Sequence, residues 1–202
     1  VAWYCRRLEP SDCTVWHSRD VVTAVLDESD RRDHCTFLLE FSDEWKTVSD
    51  LGAWLDQRQF IRLLSVPLAG ALDDPGLISK FRQLDWSMQQ EAKGVVQRGK
   101  ESLGKSIAAQ VTAAVDLPEE IDLYVPVYTN RGERDRHRVR CALDIDPHKQ
   151  VLQLVPMPNE LHTIVEEAQD SIRSRLVAAS KRETAVGDDE SPLFAVFSGK
   201  PL

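Results

Sequence analysis

The stretch CTVWHSRDVVTAVLDESDRRDHCTFLLEF, residues 13–41, decides the fold class. Residues 21–26 are almost wholly apolar and rich in β-branched side chains, a pattern that is typical of a central strand. Residues 13–17 form a shorter predicted strand before it, and residues 34–41 form a half-buried strand after it. The last strand alternates with period two, and one of its faces consists of Cys35, Phe37, Leu39 and Phe41. The charged connections between these runs predict a mostly antiparallel sheet.

Two helices are predicted after this region. Asp56 and Gln59 lie three positions apart just before an apolar run, which is the pattern of a capping box. Pro67 ends that helix, because proline lacks the backbone N–H that a helix interior needs. A second helix is predicted from Asp74, with Pro75 in its first helical position. Its apolar stripe consists of Leu77, Phe81, Leu84 and Met88.

The second half of the chain returns to strands. Alternating apolar residues indicate strands that are joined by turns, and one long amphipathic stretch indicates a helix. The predicted elements are strands over 121–128, 136–145 and 151–155, a helix over 159–179 and a strand over 193–197. Residues 95–116 fit both a helix and a hairpin, and Gly94, Gly99 and Gly104 favour the hairpin because glycine weakens helices.

These elements predict an α+β fold, in which a mostly antiparallel sheet of about seven strands packs with two or three helices. We expect one domain over residues 1–202, with a weak possible boundary near residues 70–74. The chain begins with Val1 rather than Met, so we also expect a further segment before it.

Composition narrows the classes of function. The 202 residues carry 25 Lys and Arg against 33 Asp and Glu, a net charge of −8. This balance argues against a general nucleic-acid binder, which needs basic residues to displace counterions from phosphates. No apolar run is long enough to span a bilayer, so no membrane partner is expected. No secretory signal precedes the four cysteines, which predicts free thiols in a reducing cytoplasm.

Motifs for common chemistry are missing from the sequence. No phosphate-binding glycine loop, nucleophile elbow, HExxH or CxxC pattern occurs, so we predict a non-enzymatic protein without a cofactor. Cys13, His17, His34 and Cys35 are the best zinc candidates. Cys13 and His17 share a strand face, whereas His34 and Cys35 point to opposite faces. The four side chains are therefore poorly placed to surround one zinc ion, and we predict no metal.

One stretch is unusually basic. It contains Arg131, Arg134, Arg136, Arg138 and Arg140, and the last three share one face of a predicted strand. Three interpretations stay open: a solvated strand face, ionic pairing within or between chains, and grip on the phosphates of a nucleic acid.

Trp16 gives a second candidate surface. It lies opposite Cys13, Val15 and His17 on its strand, so one face of that strand carries a tryptophan. Burial in the core is one interpretation. Contact with another copy of the chain is the other, because tryptophan and arginine are enriched at interface hot spots.

Several short stretches, spread over nearly the whole chain, together form a recognisable pattern. They are residues 13–20, 22–27 and 33–39, Glu44-Trp45, Trp54-Leu55, Gln59-Phe60-Ile61, and residues 117–121, 125–128 and 194–199. This pattern resembles the YfdQ-like family of phage and prophage proteins, a family of unknown function. The resemblance implies a phage or prophage origin, a location in the bacterial cytoplasm or in a phage-derived particle, and strands within residues 95–116. It implies no active site.

The leading hypothesis is a non-enzymatic phage accessory protein that self-assembles into a symmetric homo-oligomer, such as a ring or a shell. One alternative is a nucleic-acid or recombination accessory protein that binds weakly through the arginine-lined strand. The other alternative is an inhibitor that binds a host defence protein.

Overall fold

The structure is a computed structural model that describes residues 13–26, 32–84, 86, 116–129, 135–180 and 194–199. Backbone contacts divide the chain into two compact units. The first unit combines Val1–Phe41 with Val165–Leu202, and the second unit is Ser42–Ile164. Residues 70–74, where the sequence suggests a weak boundary, lie inside the second unit.

The described residues form strands and helices in an α+β order. The strands are β1 (Thr14–His17), β2 (Val21–Val25), β3 (His34–Leu38), β4 (Leu55–Asp56), β5 (Glu120–Pro126), β6 (Arg136–Asp146), β7 (Val151–Pro156) and β8 (Ala195–Ser198). The helices are α1 (Asp43–Ser49), α2 (Gln57–Ser65), α3 (Leu77–Arg82) and α4 (Glu160–Ser180).

The sheet of the first unit has the strand order β3-β2-β1-β8. The first three strands are antiparallel, whereas β8 runs parallel to β1. Strand β2 is the central strand that its sequence predicts, because Val22, Ala24 and Val25 are buried. The prediction that residues 34–41 form a half-buried strand is wrong for β3, since four of its five residues are exposed. Among the described strands, β3 has a neighbour on one side only, so less of its surface is covered.

The sheet of the second unit has the strand order β4-β7-β6-β5, and every pair in it is antiparallel. Alternation along these strands separates a buried face from a solvated one, as the sequence predicts. The buried face contains Ile121, Leu123, Val125, Val139, Cys141, Leu152 and Leu154. The predicted turn between β6 and β7 is also present, because the Asp146 carboxylate accepts hydrogen bonds from the backbone N–H groups of His148 and Lys149.

The helix starts were only partly predictable. The capping box of α2 is confirmed: Asp56 accepts from the N–H of Gln59, and the Gln59 side chain accepts from the N–H of Asp56. The predicted cap of α3 at Asp74 is wrong, because its carboxylate bonds the N–H of Gly76 in the turn before the helix. The helix itself begins at Leu77.

The α+β class and the mostly antiparallel pairing are confirmed. Within the described residues the strands number eight and lie in two four-stranded sheets, rather than in one sheet of about seven, and four helices accompany them. Strand periodicity identifies strands but not their partners, so the division into two sheets could not be predicted. The predicted hairpin over 95–116 lies outside the described residues.

Candidate functional site

We call Arg136, Arg138 and Arg140 the arginine row, and they lie on β6, the longest of the described strands. Arg138 and Arg140 are exposed, while Val139 and Cys141 between and after them are buried. This alternation is the one that the sequence predicts. Arg131 and Arg134 lie outside the described residues.

Each of the three described arginines bonds a group of its own chain. Arg136 donates from Nη1 to the backbone oxygen of Gly70 at 2.7 Å. Arg138 donates from Nη2 to Oδ2 of Asp122 on the neighbouring strand, also at 2.7 Å. The hydrogen bond to Asp122, together with the charge of its carboxylate, raises the pKa of Arg138 above its usual value. Of the interpretations that the sequence left open, pairing within the chain is therefore the one that the contacts support.

Among the ion pairs that β6 makes with described residues, the one between Arg140 and Glu160 is the least exposed. Nε of Arg140 lies 3.1 Å from Oε1 of Glu160, the first residue of α4, and the Glu160 side chain is only 16% exposed. Its second oxygen, Oε2, is buried and has no hydrogen-bond partner among the residues that the structure describes. Loss of Arg140 would leave a mostly buried carboxylate without compensation, so this contact anchors the start of α4 to the sheet.

Trp16 is half-buried on β1 in the first unit. Its indole stacks on the ring of Phe197, with centroids 4.8 Å apart and an angle of 27° between the ring planes. Its Nε1 donates to Oγ1 of Thr14 at 3.0 Å. Phe197 remains 42% exposed. The stack joins β1 to β8, so an intramolecular contact accounts for part of the tryptophan surface.

A serine and a histidine also meet across β1 and β8. Oγ of Ser198 lies 3.1 Å from Nε2 of His17, the spacing of a hydroxyl and a general base. In acyl transfer, however, backbone N–H groups near the nucleophile stabilise the oxyanion. The N–H of Gly199, the residue after the serine, donates to the carbonyl of His17 at 2.8 Å and is thereby occupied. We interpret the contact as structural.

Sequence reasoning missed the surface at the outer side of β3. Phe37 is 50% exposed and Leu38 is 66% exposed, and adjacent strand residues point to opposite faces of the sheet. His34 and Thr36 are exposed as well. We call these four residues, His34, Thr36, Phe37 and Leu38, the β3 edge. Three consecutive apolar residues at 37–39 indicate apolar side chains on both faces of one strand, but this pattern does not tell which of them are exposed.

Along β3, the backbone N–H and C=O groups of every second residue point away from the rest of the sheet. The N–H of Leu39 donates to Asp20, and the carbonyl of Asp33 accepts from Leu26, both at 2.8 Å. Since backbone direction alternates along an antiparallel strand, odd-numbered residues from 33 to 39 bond β2. The N–H and C=O groups of His34, Thr36 and Leu38 therefore project outward. No strand in the described part of the chain pairs with them.

The candidate zinc ligands are not gathered around one point. The Cys13 thiol lies 3.5 Å from the carbonyl of Leu26, and Nδ1 of His34 lies 3.3 Å from the carbonyl of Arg32. Over the described residues, no group of three or more histidine, cysteine or acidic side chains is placed to hold a metal ion. Burial, together with the smaller effect of the negatively charged carboxylates of Glu160 and Asp122, raises the pKa of Cys141 to about 12, so this thiol stays protonated at neutral pH.

None of the helices in the described segments combines the length and the apolar character that crossing a bilayer requires. In comparisons with protein families, curated proteins and solved structures, nothing matches this chain. The resemblance to the YfdQ-like family stays a prediction from the sequence.

Proposed function

We propose that this chain is a non-enzymatic protein that self-associates into a symmetric homo-oligomer, and that the β3 edge is its association surface. The observation that carries the proposal is the combination of exposed apolar side chains with an outward-facing strand backbone. Phe37 is 50% exposed and Leu38 is 66% exposed on the same short strand. An apolar edge strand is a template for pairing with another chain, and proteins that stay monomeric usually protect such an edge.

The energetics favour covering this edge. Full burial of a Phe or Leu side chain contributes about 1.5–3 kcal/mol. Given the exposed fractions of Phe37 and Leu38, their complete burial contributes about 2–3 kcal/mol per copy. Pairing of the outward backbone groups of His34, Thr36 and Leu38 adds direction to this attraction, because hydrogen bonds fix the alignment of the strands.

The biological setting of the proposal rests on the sequence resemblance alone. We propose a phage or prophage accessory protein that works in the cytoplasm of a bacterial host or in a phage-derived particle. A homo-oligomer with closed symmetry, including a ring or a shell, is compatible with this setting.

Light scattering of the purified chain tests self-association. At micromolar concentration we expect a mass of at least twice 22.9 kDa. Leu38→Lys is expected to lower that mass, because a charged side chain on an edge strand opposes pairing. Val66→Lys is the matched control, since Val66 in the second unit is also 66% exposed. A monomer at all concentrations, or an equal response to both changes, would contradict the proposal.

The arginine row supports a second candidate function, the weak binding of nucleic acid. The side chains of Arg138 and Arg140 remain 55% and 51% exposed although each bonds a carboxylate. Their remaining N–H groups can donate to phosphate oxygens. Fluorescence anisotropy with labelled single-stranded DNA tests this function. Binding that weakens steeply with salt and is lost in Arg138→Glu/Arg140→Glu would support it, and unchanged anisotropy would reject it.

A further inference from the structure

We propose that two copies of the chain pair β3 with β3 in antiparallel orientation, about a two-fold axis that passes through Thr36. This inference rests on the proposed function and specifies its partner and geometry. The β3-β2-β1-β8 sheet of one copy and the same sheet of the second copy would become one continuous sheet across the dimer. A two-fold contact of this kind closes on itself, because each copy uses the same surface.

The direction of the backbone groups limits the possible pairings. His34, Thr36 and Leu38 face outward, and in an antiparallel pair the outward residues of the two copies lie directly opposite each other. With the axis at Thr36, each Thr36 faces its counterpart, and each His34 faces Leu38 of the second copy. Every outward residue of β3 is then paired, which gives about six backbone hydrogen bonds. Shifting the axis to a neighbouring residue leaves one end of the strand unpaired.

Charge complementarity selects the same alignment. Extended in both directions, the pairing about Thr36 places Arg32 of each copy opposite Glu40 of the second copy. Both residues are exposed in the single chain. The two-fold axis repeats the Arg32–Glu40 pair, so one such pair lies at each end of the paired strands. Opposite charges that face each other across two strands stabilise the pair, whereas like charges destabilise it. The apolar run of β3 thus lies between two complementary charge pairs in this alignment.

Apolar side chains complete the fit. In this alignment Phe37 of each copy faces Cys35 of the second copy, and Cys35 is half-buried in the single chain. A polarizable sulfur makes favourable contacts with an aromatic ring. On the other face of the sheet, Leu38 of each copy covers His34 of the second copy. The two exposed apolar residues of the β3 edge therefore each gain a partner.

Strand β8, at the other end of the sheet, is the competing partner. Pairing of β3 with β8 of a second copy would use two different surfaces, and it would leave one β3 edge unpaired in every assembly that does not close into a ring. This arrangement would place Thr36 of one copy far from Thr36 of the second copy. The position of a cross-link therefore separates the two arrangements.

Disulfide trapping tests the alignment. Thr36→Cys is made together with Cys35→Ser, so that no native thiol adjoins the new one. Residues opposite each other in a hydrogen-bonded antiparallel pair have Cα atoms about 5.5 Å apart, within the range that a disulfide spans. Under mild oxidation we expect a covalent dimer to form about tenfold faster than with Cys35→Ser alone. Phe37→Cys with Cys35→Ser is the register control and is expected to cross-link slowly.

A charge exchange provides an independent readout without cysteine. Arg32→Glu is expected to weaken dimerisation by about tenfold, because it places two like charges opposite each other at both ends of the strand pair. Arg32→Glu combined with Glu40→Arg restores opposite charges and is expected to recover most of the affinity. Failure of the double variant to recover, with folding intact by circular dichroism, would contradict the alignment.

The outcomes separate this inference from the proposed function. An oligomer that does not cross-link at Thr36→Cys, or that cross-links faster at Phe37→Cys, would overturn the Thr36 axis and leave self-association standing. A mass above the dimer without a Thr36→Cys link would indicate pairing with β8. A monomer at all concentrations would overturn both.

Discussion

The ring of Phe197 covers the indole of Trp16, with 4.8 Å between the ring centroids, and this stack joins strands from opposite ends of the chain. The backbones of these two residues lie opposite each other in the parallel pairing of β1 with β8. The ring stack therefore adds a side-chain contact to the backbone pairing of two strands that are far apart in the sequence. A hydrogen bond from Gly199 to the carbonyl of His17 extends the same attachment. The C-terminal strand is therefore held to the first unit by a small number of identifiable contacts.

Phe197→Ala is expected to lower the free energy of unfolding by about 1.5–2.5 kcal/mol. Truncation of a fully buried Phe costs about 3–5 kcal/mol, and Phe197 is 42% exposed, so roughly half of that cost applies. Urea denaturation followed by tryptophan fluorescence measures the change. Trp54→Ala is the control, because Trp54 is similarly exposed at 48%. An equal effect of both changes would mean that the Trp16 stack adds nothing beyond ordinary contact.

Arg140→Ala is expected to destabilise the chain more than Arg138→Ala. Without Arg140, the Glu160 carboxylate, only 16% exposed, loses its cation, which costs about 1–3 kcal/mol. The pair of Arg138 is more open to solvent, and screening makes its loss small. Denaturant unfolding of both variants and of Arg140→Ala/Glu160→Gln checks this. The double variant should recover part of the stability, since it removes the buried charge as well; a further loss would contradict the argument.

Local patterns predicted the elements whose structure depends on local physics. The capping box at Asp56 needs only a side chain and a backbone group three residues apart, and the burial of β2 follows from its apolar composition. The alternation along β6 correctly put the side chains of Val139 and Arg138 on opposite faces. In each case a few neighbouring residues are sufficient.

The features that escaped prediction depend on residues far apart in the sequence. His17 and Ser198 are separated by 181 positions, and no local pattern indicates that they meet. The partners of the arginine row, Asp122 and Glu160, follow from strand pairing and helix placement rather than from the basic stretch itself. The exposure of β3 depends on which strand ends the sheet, which periodicity does not encode.

Asp56→Ala is expected to cost about 1 kcal/mol, because the N–H of Gln59 loses its acceptor at the start of α2. Asp56→Asn should retain most of the stability, since asparagine is an equally good N-cap. Arg58→Ala, an exposed change in the first turn of the same helix, is the control. Thermal unfolding followed by circular dichroism ranks the three variants. A loss as large for Arg58→Ala, a change that does not lower helix propensity, would show that the cap is not the source of the effect.

The thiols of Cys35 and Cys141 are expected to differ strongly in reactivity. Cys141 is buried and its pKa lies near 12, so the reactive thiolate is scarce at neutral pH. Cys35 is half-buried and can be reached from solvent. Titration with a chromogenic disulfide should lose one rapidly reacting thiol in Cys35→Ser and none in Cys141→Ser. Rapid labelling that disappears in Cys141→Ser would contradict the burial of β6.

Stability is expected to fall as the pH falls below about 6.5, and His17 should account for part of that loss. Burial lowers the pKa of His17 below its usual 6.5, and the Arg173 guanidinium lowers it further, while the Asp170 carboxylate opposes both. In the unfolded chain the imidazole takes up a proton near pH 6.5, whereas in the folded chain it does so only at lower pH. Between these two values the unfolded state binds more protons, so protonation favours unfolding. The stabilising contribution is therefore complete above pH 6.5 and is lost as the pH falls through the pKa of the folded state.

His17→Gln tests this dependence, because glutamine can still bond Ser198 but does not titrate. Unfolding in urea at about pH 7.5, 6.5 and 5.5 should show a shallower decline for His17→Gln than for the unmodified chain. His148→Gln is the control, since His148 is exposed in the turn between β6 and β7. Carboxylates titrate mainly below this range, so they contribute little to the difference. Parallel pH profiles for His17→Gln and the unmodified chain would show that protonation of His17 does not change the free energy of unfolding.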